Sequence, residues 1–313
     1  MKNRFRLFCL FAGILFLTAC SKDGTKNETG SALKAESIKR VVSLGPSATE
    51  ILFAIGAEKQ IAARTDLCDF PPEAETIASV GGFAGNTISL ETILSFEPDL
   101  VYLYQGIHDG FVKPLEDAGI RVYISNASSI EDVKKEVLDM GELTGHKKEA
   151  QKVVSKMNET LERVSKKIKK HLREKNHSAG EFTDASYDAG GQKKTSGEFT
   201  DAPTVYWEIW PSPMMTVGKD SFINDIIKAA GGKNIFEDEL SAYPIVTAEA
   251  VIFAHPDYIF YTGDGTEKGA VWNPEKQMTA AKGIFYVGDD NRFVRSSPRC
   301  VDAVEKLADI LWK

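Results

Sequence analysis

The chain has 313 residues, with 38 Lys and Arg against 45 Asp and Glu, and a formal charge of −7. An acidic chain is a poor nucleic-acid binder, because phosphate contacts need basic patches. Its length suits one large or two medium domains, with enough core to need no disulfide staple.

The N-terminus reads as a processing signal. Lys2, Arg4 and Arg6 are followed by an apolar run, Leu7 to Leu17, too short to span a bilayer comfortably. It ends in Leu17-Thr18-Ala19-Cys20, which is similar to a bacterial lipobox with Cys20 as the lipidated first residue. The alternative is an ordinary secretory signal in which Cys20 is incidental. The polar tail that follows favours the lipobox. Residues 1–19 are thus the signal, and 20–37 are the lipidated Cys and a flexible tether. Removing the signal takes away three positive charges and leaves about −10.

"RVVSL" (Arg40 to Leu44) predicts a buried strand. After Gly45-Pro46, "SATE" fits a capping box, with Ser47 as N-cap and Glu50 reaching back. That helix stops at Gly56. Strands are predicted at Gln60 to Arg64, Asp99 to Tyr104 and Arg121 to Ile124, and helices at Leu90 to Phe96, Phe111 to Ala118 and Ile130 to Leu143. Alternating strands and helices imply βα units and a mostly parallel sheet.

From Lys147 to Lys175, apolar residues recur at spacings of three and four without Gly or Pro. The span is roughly 40 Å at 1.5 Å per residue. A rigid spine packed along two lobes fits better than a coiled-coil strand. Residues 176–203 are poor in aliphatics and contain "GEFTDA" twice, which reads as a surface insertion. The βα alternation then restarts: a strand "TVYWEIW", a loop "WPSPMMTVG", a helix capped by Asp220 or Ser221, and strands at Asp257 to Tyr261 and Gly283 to Val287. A closing helix is predicted with Ser297 as N-cap and Pro298 at its first position.

One pattern occurs twice. "SLETILSFEPDLVYL" begins at Ser89 and "TAEAVIFAHPDYIFY" at Thr247. Glu91 and Glu249, Pro98 and Pro256, and Asp99 and Asp257 are each 158 residues apart. Two α/β lobes of similar build, at 38–145 and 204–313 and joined by a spanning helix at 146–175, account for this. Locally, a Glu in a first turn offsets the helix dipole, worth about 0.3–1 kcal/mol. Equivalent Glu residues in two lobes also fit a matched pair of acidic knobs facing one partner.

Other chemistry has little support. The five His are scattered, and no C-x-x-C occurs, so no metal site is predicted. Cys68 and Cys300 are able to pair in an oxidising compartment, but their spacing carries no signal. There is no G-x-S-x-G and no Walker A loop, so the chain is not expected to be an enzyme. A structural or adhesin lipoprotein is a remote alternative.

"RVVSLGPSATEILFAIGA", "DFPPEA" at Asp69, "VGGF" at Val80, "SLETILSFEPDLV", "AGGKNIF" at Ala230 and "RSSPR" at Arg295 occur in that order. With these, the chain resembles the periplasmic substrate-binding proteins of ABC importers for cobalamin, haem and siderophores, most closely the cobalamin branch. The resemblance runs from Ile38 to the C-terminus apart from the insertion. It implies an α/β fold of two lobes joined by one long helix, with the ligand in the cleft between them. It implies that Glu91 and Glu249 dock on arginines of the membrane permease, whose ATPase supplies energy. The expected chain is a lipid-anchored, extracytoplasmic monomer without a cofactor of its own.

Ligands of such sheets sit beyond the strands' C-terminal ends. The residues expected there are Ser47, Asp66, Phe83, Tyr104, Trp210, Tyr243 and Arg295, a set suited to a large flat macrocycle. Phe83, Tyr104 and Tyr243 fall where the cobalamin branch tends to have aromatics, and Arg295 on the family's Arg. Leu67 departs from that pattern, where an aromatic is more usual. Haem would need a Tyr or His axial ligand, for which Tyr104, Tyr243 and His108 remain open. A carboxylate siderophore would want several Arg, and only Arg64 and Arg295 are evident. Cobalamin is the first expectation, haem or a ferric siderophore the alternative.

Overall fold

The computed structural model describes residues 38–178, 202–261, 282–288 and 290–313. The signal, Cys20 and its tether, and most of the repeat-bearing insertion lie outside the described residues. The first half forms a wholly parallel sheet from β1 (Val41–Ser43), β2 (Ile61–Arg64), β3 (Leu100–Tyr104) and β4 (Arg121–Ser125), in the order β2-β1-β3-β4. Helices α1 (Pro46–Ala54), α2 (Leu90–Ser95), α3 (Asp109–Asp117) and α4 (Ile130–Thr144) are interleaved with the strands. β1 is buried throughout and β3 nearly so, which explains their unbroken apolar runs.

The second half forms a mixed sheet in the order β6-β5-β8-β9. β5 (Thr204–Pro211), β8 (Tyr258–Tyr261) and β9 (Gly283–Tyr286) are parallel, and short β7 (Lys233–Asn234) pairs with the start of β5. The stretch expected to be a loop after Trp210 instead holds β6 (Met214–Thr216), antiparallel to β5. Apolar alternation is too short there to be seen in sequence; the pairing with β5 decides it. α6 (Phe222–Ala229) is capped by Ser221, whose Oγ accepts from Asn224 N–H at 3.2 Å.

The doubled motif has the same structure in both halves. α2 is capped by Ser89, and α7 (Ala248–Ala254) by Thr247; each side-chain oxygen accepts a backbone N–H three residues on. Ile93 and Val251 occupy the same place and are both fully buried. Glu97 and His255 both end their helix in the left-handed region at φ 47°. The following Asp clamps the start of the neighbouring strand. Asp99 Oδ2 accepts from Lys39 N–H at 2.8 Å and Arg40 N–H at 2.9 Å. Asp257 Oδ2 accepts from Thr204 N–H at 2.9 Å. The Pro-Asp pair thus stops a helix and ties the next strand to its partner.

α5 (Lys147–Ser178) follows α4 and runs 32 residues, roughly 48 Å at helical rise. Its apolar face buries Ala150, Met157, Val164 and Ile168. These belong to one continuous core that reaches from Val41, Ile51 and Val137 to Val205, Trp207 and Leu307. α5 is tied to the last helix, α8 (Cys300–Leu311), by Arg163 on Glu305 at 2.9 Å and Lys167 on Asp309 at 2.5 Å. The architecture is α/β, two sheets sharing a long helix as the spine. Among the described residues no helix is long and apolar enough to cross a membrane.

Two predicted caps are corrected. α1 begins at Pro46 after Gly45, and neither Ser47 nor Glu50 caps it. α8 begins at Cys300, and the Ser297 hydroxyl points elsewhere. In both cases the side chain has a long-range partner, described below. Cys68 and Cys300 are buried free thiols, and burial pushes Cys300 up to about 12, so it stays protonated.

Candidate functional site

The loops beyond the C-terminal ends of the first sheet are built around Tyr104. A side chain at Gly45 would overlap the Tyr104 ring, so only glycine lets that ring lie on the turn after β1. The Tyr104 hydroxyl meets Ser47 N–H at 3.2 Å and also the Ser47 hydroxyl. Burial raises this phenol to about 12, partly offset by its bonds to Ser47. The Phe83 ring stands edge-on to Tyr104, with centroids 5.6 Å apart, and edge-on to His108 at 5.5 Å. Three of the expected residues, Ser47, Phe83 and Tyr104, are therefore in one cluster.

His108 holds that cluster together. Its Nδ1 accepts from Tyr104 N–H at 3.1 Å, so in the neutral ring Nε2 carries the proton and donates to the Phe83 carbonyl at 2.8 Å. Both nitrogens are committed, and the residue is buried. This removes His108 from the axial-ligand options. Burial lowers its pKa below the ordinary 6.5. The bond from Tyr104 N–H requires the neutral ring, so its contribution is full above 6.5 and lost as pH falls through the lowered value. Ligand affinity of the wild type is expected to be flat above pH 6.5 and to weaken on acidification. A His108→Gln variant, whose amide can replace both bonds, is expected to show a flatter profile. Calorimetric titrations from pH 8 to 5 check this, and equal slopes for the two proteins would refute it.

Asp66 is exposed, and its Oδ1 accepts from Ser79 Oγ at 2.5 Å, which braces its own loop. On the second sheet Trp210 lies opposite Met215, and Met215 opposite Ile245. Directly opposed residues of antiparallel pairs share a face. Trp210 is 57 % exposed and Ile245 66 %, so this row presents apolar surface. The Trp210 Nε1–H donates to Ser212 O at 3.1 Å, which fixes the indole. Tyr243, also exposed, stands two residues before Ile245, and burial of its hydroxyl raises the phenol pKa. The pairing that builds this platform depends on β6, so Ile245, which joins it through Met215, was not foreseen.

Arg295 is placed at the same end, with its guanidinium engaged by protein groups. Its Nη1 donates to Asp69 Oδ1 at 2.6 Å and Glu50 Oε1 at 3.1 Å, and Nη2 to the Leu67 carbonyl at 3.2 Å. Arg299 forks onto Glu50 with bonds of 2.9 and 2.6 Å, and Ser297 Oγ adds one at 2.5 Å. The Arg299 guanidinium also lies 3.5 Å over the Phe70 ring. Glu50 on α1 and the loop 67–70 after β2 are thus clasped to the segment leading into α8. Glu50, read from sequence only as a cap residue, and Arg299 were not foreseen in this clasp. The available signal was a Glu inside the apolar stretch "ATEILFA". Across the spine, Asp225 of α6 accepts from Ile130 N–H at 2.7 Å and so caps α4 from the other half.

Glu91 and Glu249 are both exposed in the first turns of α2 and α7. Ser89 Oγ donates to Glu91 Oε2 at 2.9 Å. The backbone N–H of Glu249, then the Thr247 hydroxyl, hold the Glu249 carboxyl below its usual range. Among the described residues no cluster of His, Cys, Asp and Glu is arranged to hold a metal.

The sequence matches the model of the Periplasmic binding protein family over residues 41–179 and 171–272. The chain belongs to this family. It is 28 % identical over 282 residues to an uncharacterized ABC transporter substrate-binding lipoprotein, YvrC, of Bacillus subtilis (strain 168), covering 88 % of this chain and 80 % of the relative. It is 24 % identical over 283 residues to the vitamin B12-binding protein of Vibrio vulnificus (strain CMCP6), covering 89 % and 92 %. Among solved structures, the periplasmic vitamin B12-binding protein BtuF of Vibrio cholerae superposes with a TM-score of 0.67 at 21 % identity, covering 88 % of this chain and 96 % of that one. The periplasmic haem-binding protein HutB of Vibrio cholerae does so with a TM-score of 0.68 at 18 % identity, covering 88 % and 99 %. The periplasmic binding protein assignment agrees with the class expected from the ordered motifs, a solute-binding component with the α/β, two-lobed fold.

Proposed function

We propose that this periplasmic binding protein captures a corrinoid of the cobalamin type between its two lobes. It then delivers the ligand to an ABC importer made of a membrane permease and its ATPase. The observation that carries the ligand choice is the commitment of His108. With both ring nitrogens bonded to backbone, it has no lone pair left for iron. Tyr104 is engaged by Ser47, and its raised pKa opposes a tyrosinate. A haem iron would need such a donor, whereas a corrinoid brings cobalt already ligated by its own ring. What the two halves offer is apolar and aromatic side chains, the Phe83–Tyr104 pair in the first and the Trp210, Met215 and Ile245 row in the second. The vitamin B12-binding relatives support the same choice. Haem is the second reading, because Tyr243 is about half exposed and carries a phenol oxygen, although burial raising its pKa weighs against a tyrosinate there as well.

Cys20 is proposed to carry the lipid that anchors the chain outside the cytoplasm, as the YvrC relative's description suggests. Glu91 and Glu249 are proposed to meet basic side chains of the permease. The test of the ligand is a calorimetric titration of the soluble form, residues 21–313, with cyanocobalamin, and with hemin in parallel. One-to-one cobalamin binding at micromolar or tighter affinity is expected. Hemin binding in its place would overturn the corrinoid and leave the two-lobed receptor.

A further inference from the structure

α2 and α7 are copies of one device, yet their exposed sides differ in apolar surface. Cap, Glu, buried β-branched residue, left-handed C-terminus and Pro-Asp all correspond. At the fourth position after the Glu, α2 has Ser95 and α7 has Phe253. Phe253 is 86 % exposed, and its neighbour Ile252 is 45 % exposed. They lie three and four residues after Glu249, and so on the same side of the helix as that carboxylate. A phenylalanine this exposed gives up most of the burial energy that its side chain would gain in a core. The fold does not require it, because the twin helix uses Ser in the same place.

We propose that Phe253, with Ile252, is an apolar anchor that docks on the importer's membrane permease beside the Glu249 contact. This rests on the reading of the chain as an ABC-importer receptor. The occupant is fixed by the arrangement of charge. A carboxylate one turn from an aromatic fits an apolar socket rimmed by Arg or Lys, with the charge guiding encounter and the ring supplying the hot spot. The anchor exists on the C-terminal lobe only, so the two lobes dock unequally although their Glu residues match. On a permease of two identical subunits, one subunit would grip the receptor more tightly than the other. On one of two different subunits, Phe253 would select the orientation.

The experiment compares wild type, Phe253→Ser and Glu249→Gln, all ligand-free, binding to the permease–ATPase complex of the same organism in nanodiscs. Phe253→Ser is expected to weaken capture at least tenfold, chiefly by faster dissociation, with the salt dependence unchanged. Glu249→Gln is expected to slow association and flatten the salt dependence. Wild-type capture of the permease by Phe253→Ser overturns the anchor. So does a wild type that dimerises through this face in sedimentation while Phe253→Ser is monomeric. A fall in the unfolding midpoint of Phe253→Ser would mean that the ring is covered by its own chain, and would also overturn it. If wild type itself fails to bind the permease, the importer reading falls with it; a failed cobalamin titration would touch only the ligand.

Discussion

Glu50→Ala is expected to lower the free energy of unfolding by about 3–5 kcal/mol, the range for breaking a buried ion pair from one side. Glu50 is 2 % exposed as a side chain, and its carboxylate takes bonds from Arg295, Arg299 and Ser297. Removing it leaves Arg299 without its partner carboxylate and Arg295 with Asp69 and the Leu67 carbonyl. For a chain of this size the midpoint of thermal unfolding should drop by roughly 10 °C. Replacing Glu50 and Arg299 together by Met should restore part of the loss, because a buried pair exchanged for apolar groups is often close to neutral. Chemical denaturation of the wild type, Glu50→Ala, Glu50→Met, Arg299→Met and the double Met variant measures this. A loss below about 1 kcal/mol for Glu50→Ala would sink the reading of the clasp as a buried network. Because the clasp joins α1 and the loop after β2 to the segment before α8, the variant should also loosen the approach of the two halves. The outer arm responds to acid. Arg295 holds the Asp69 carboxyl below its ordinary 3.8, so that arm is intact above 3.8 and is lost as pH falls through the lowered value.

The double variant Glu91→Lys with Glu249→Lys is expected to abolish ligand transfer in a reconstituted importer while leaving ligand binding by the free receptor unchanged. Opposing like charges across an interface costs several kcal/mol, which amounts to a loss of more than a hundredfold in docking. Both residues are exposed and their helices are held by Ser89 and Thr247, so the fold should tolerate the change. Uptake at the wild-type rate would remove Glu91 and Glu249 from the permease contact. Reduced ligand binding by the free receptor would show that the variant disturbs the site itself.

What the sequence determined by itself was local and periodic. β/α alternation, the long apolar stripe of α5, the caps Ser89 and Thr247, and the doubled Glu and Pro-Asp pattern all follow from residues within a few positions of each other. Those features depend on hydrogen bonds and packing inside one element or between neighbours, so their signal survives in the order of residues. The ordered motifs carried the family as well, and with it the two-lobed fold. Only the tertiary structure decided where the polar side chains went. Ser47, Glu50 and Ser297 all fit helix caps by spacing, yet each is taken by a partner far along the chain: Tyr104 for Ser47, the Arg295–Arg299 segment for Glu50, and Glu50 for Ser297. A local cap is worth about 1 kcal/mol, whereas a charge buried beside its counter-charge cannot be left unpaired without a larger loss. Likewise Arg295 is drawn into the clasp with Glu50 and Asp69, and β6 exists because β5 offers it an edge. The His108 bonds that brace Phe83 and Tyr104 span 25 residues and 4 residues, and only folding brings those backbone groups to one ring.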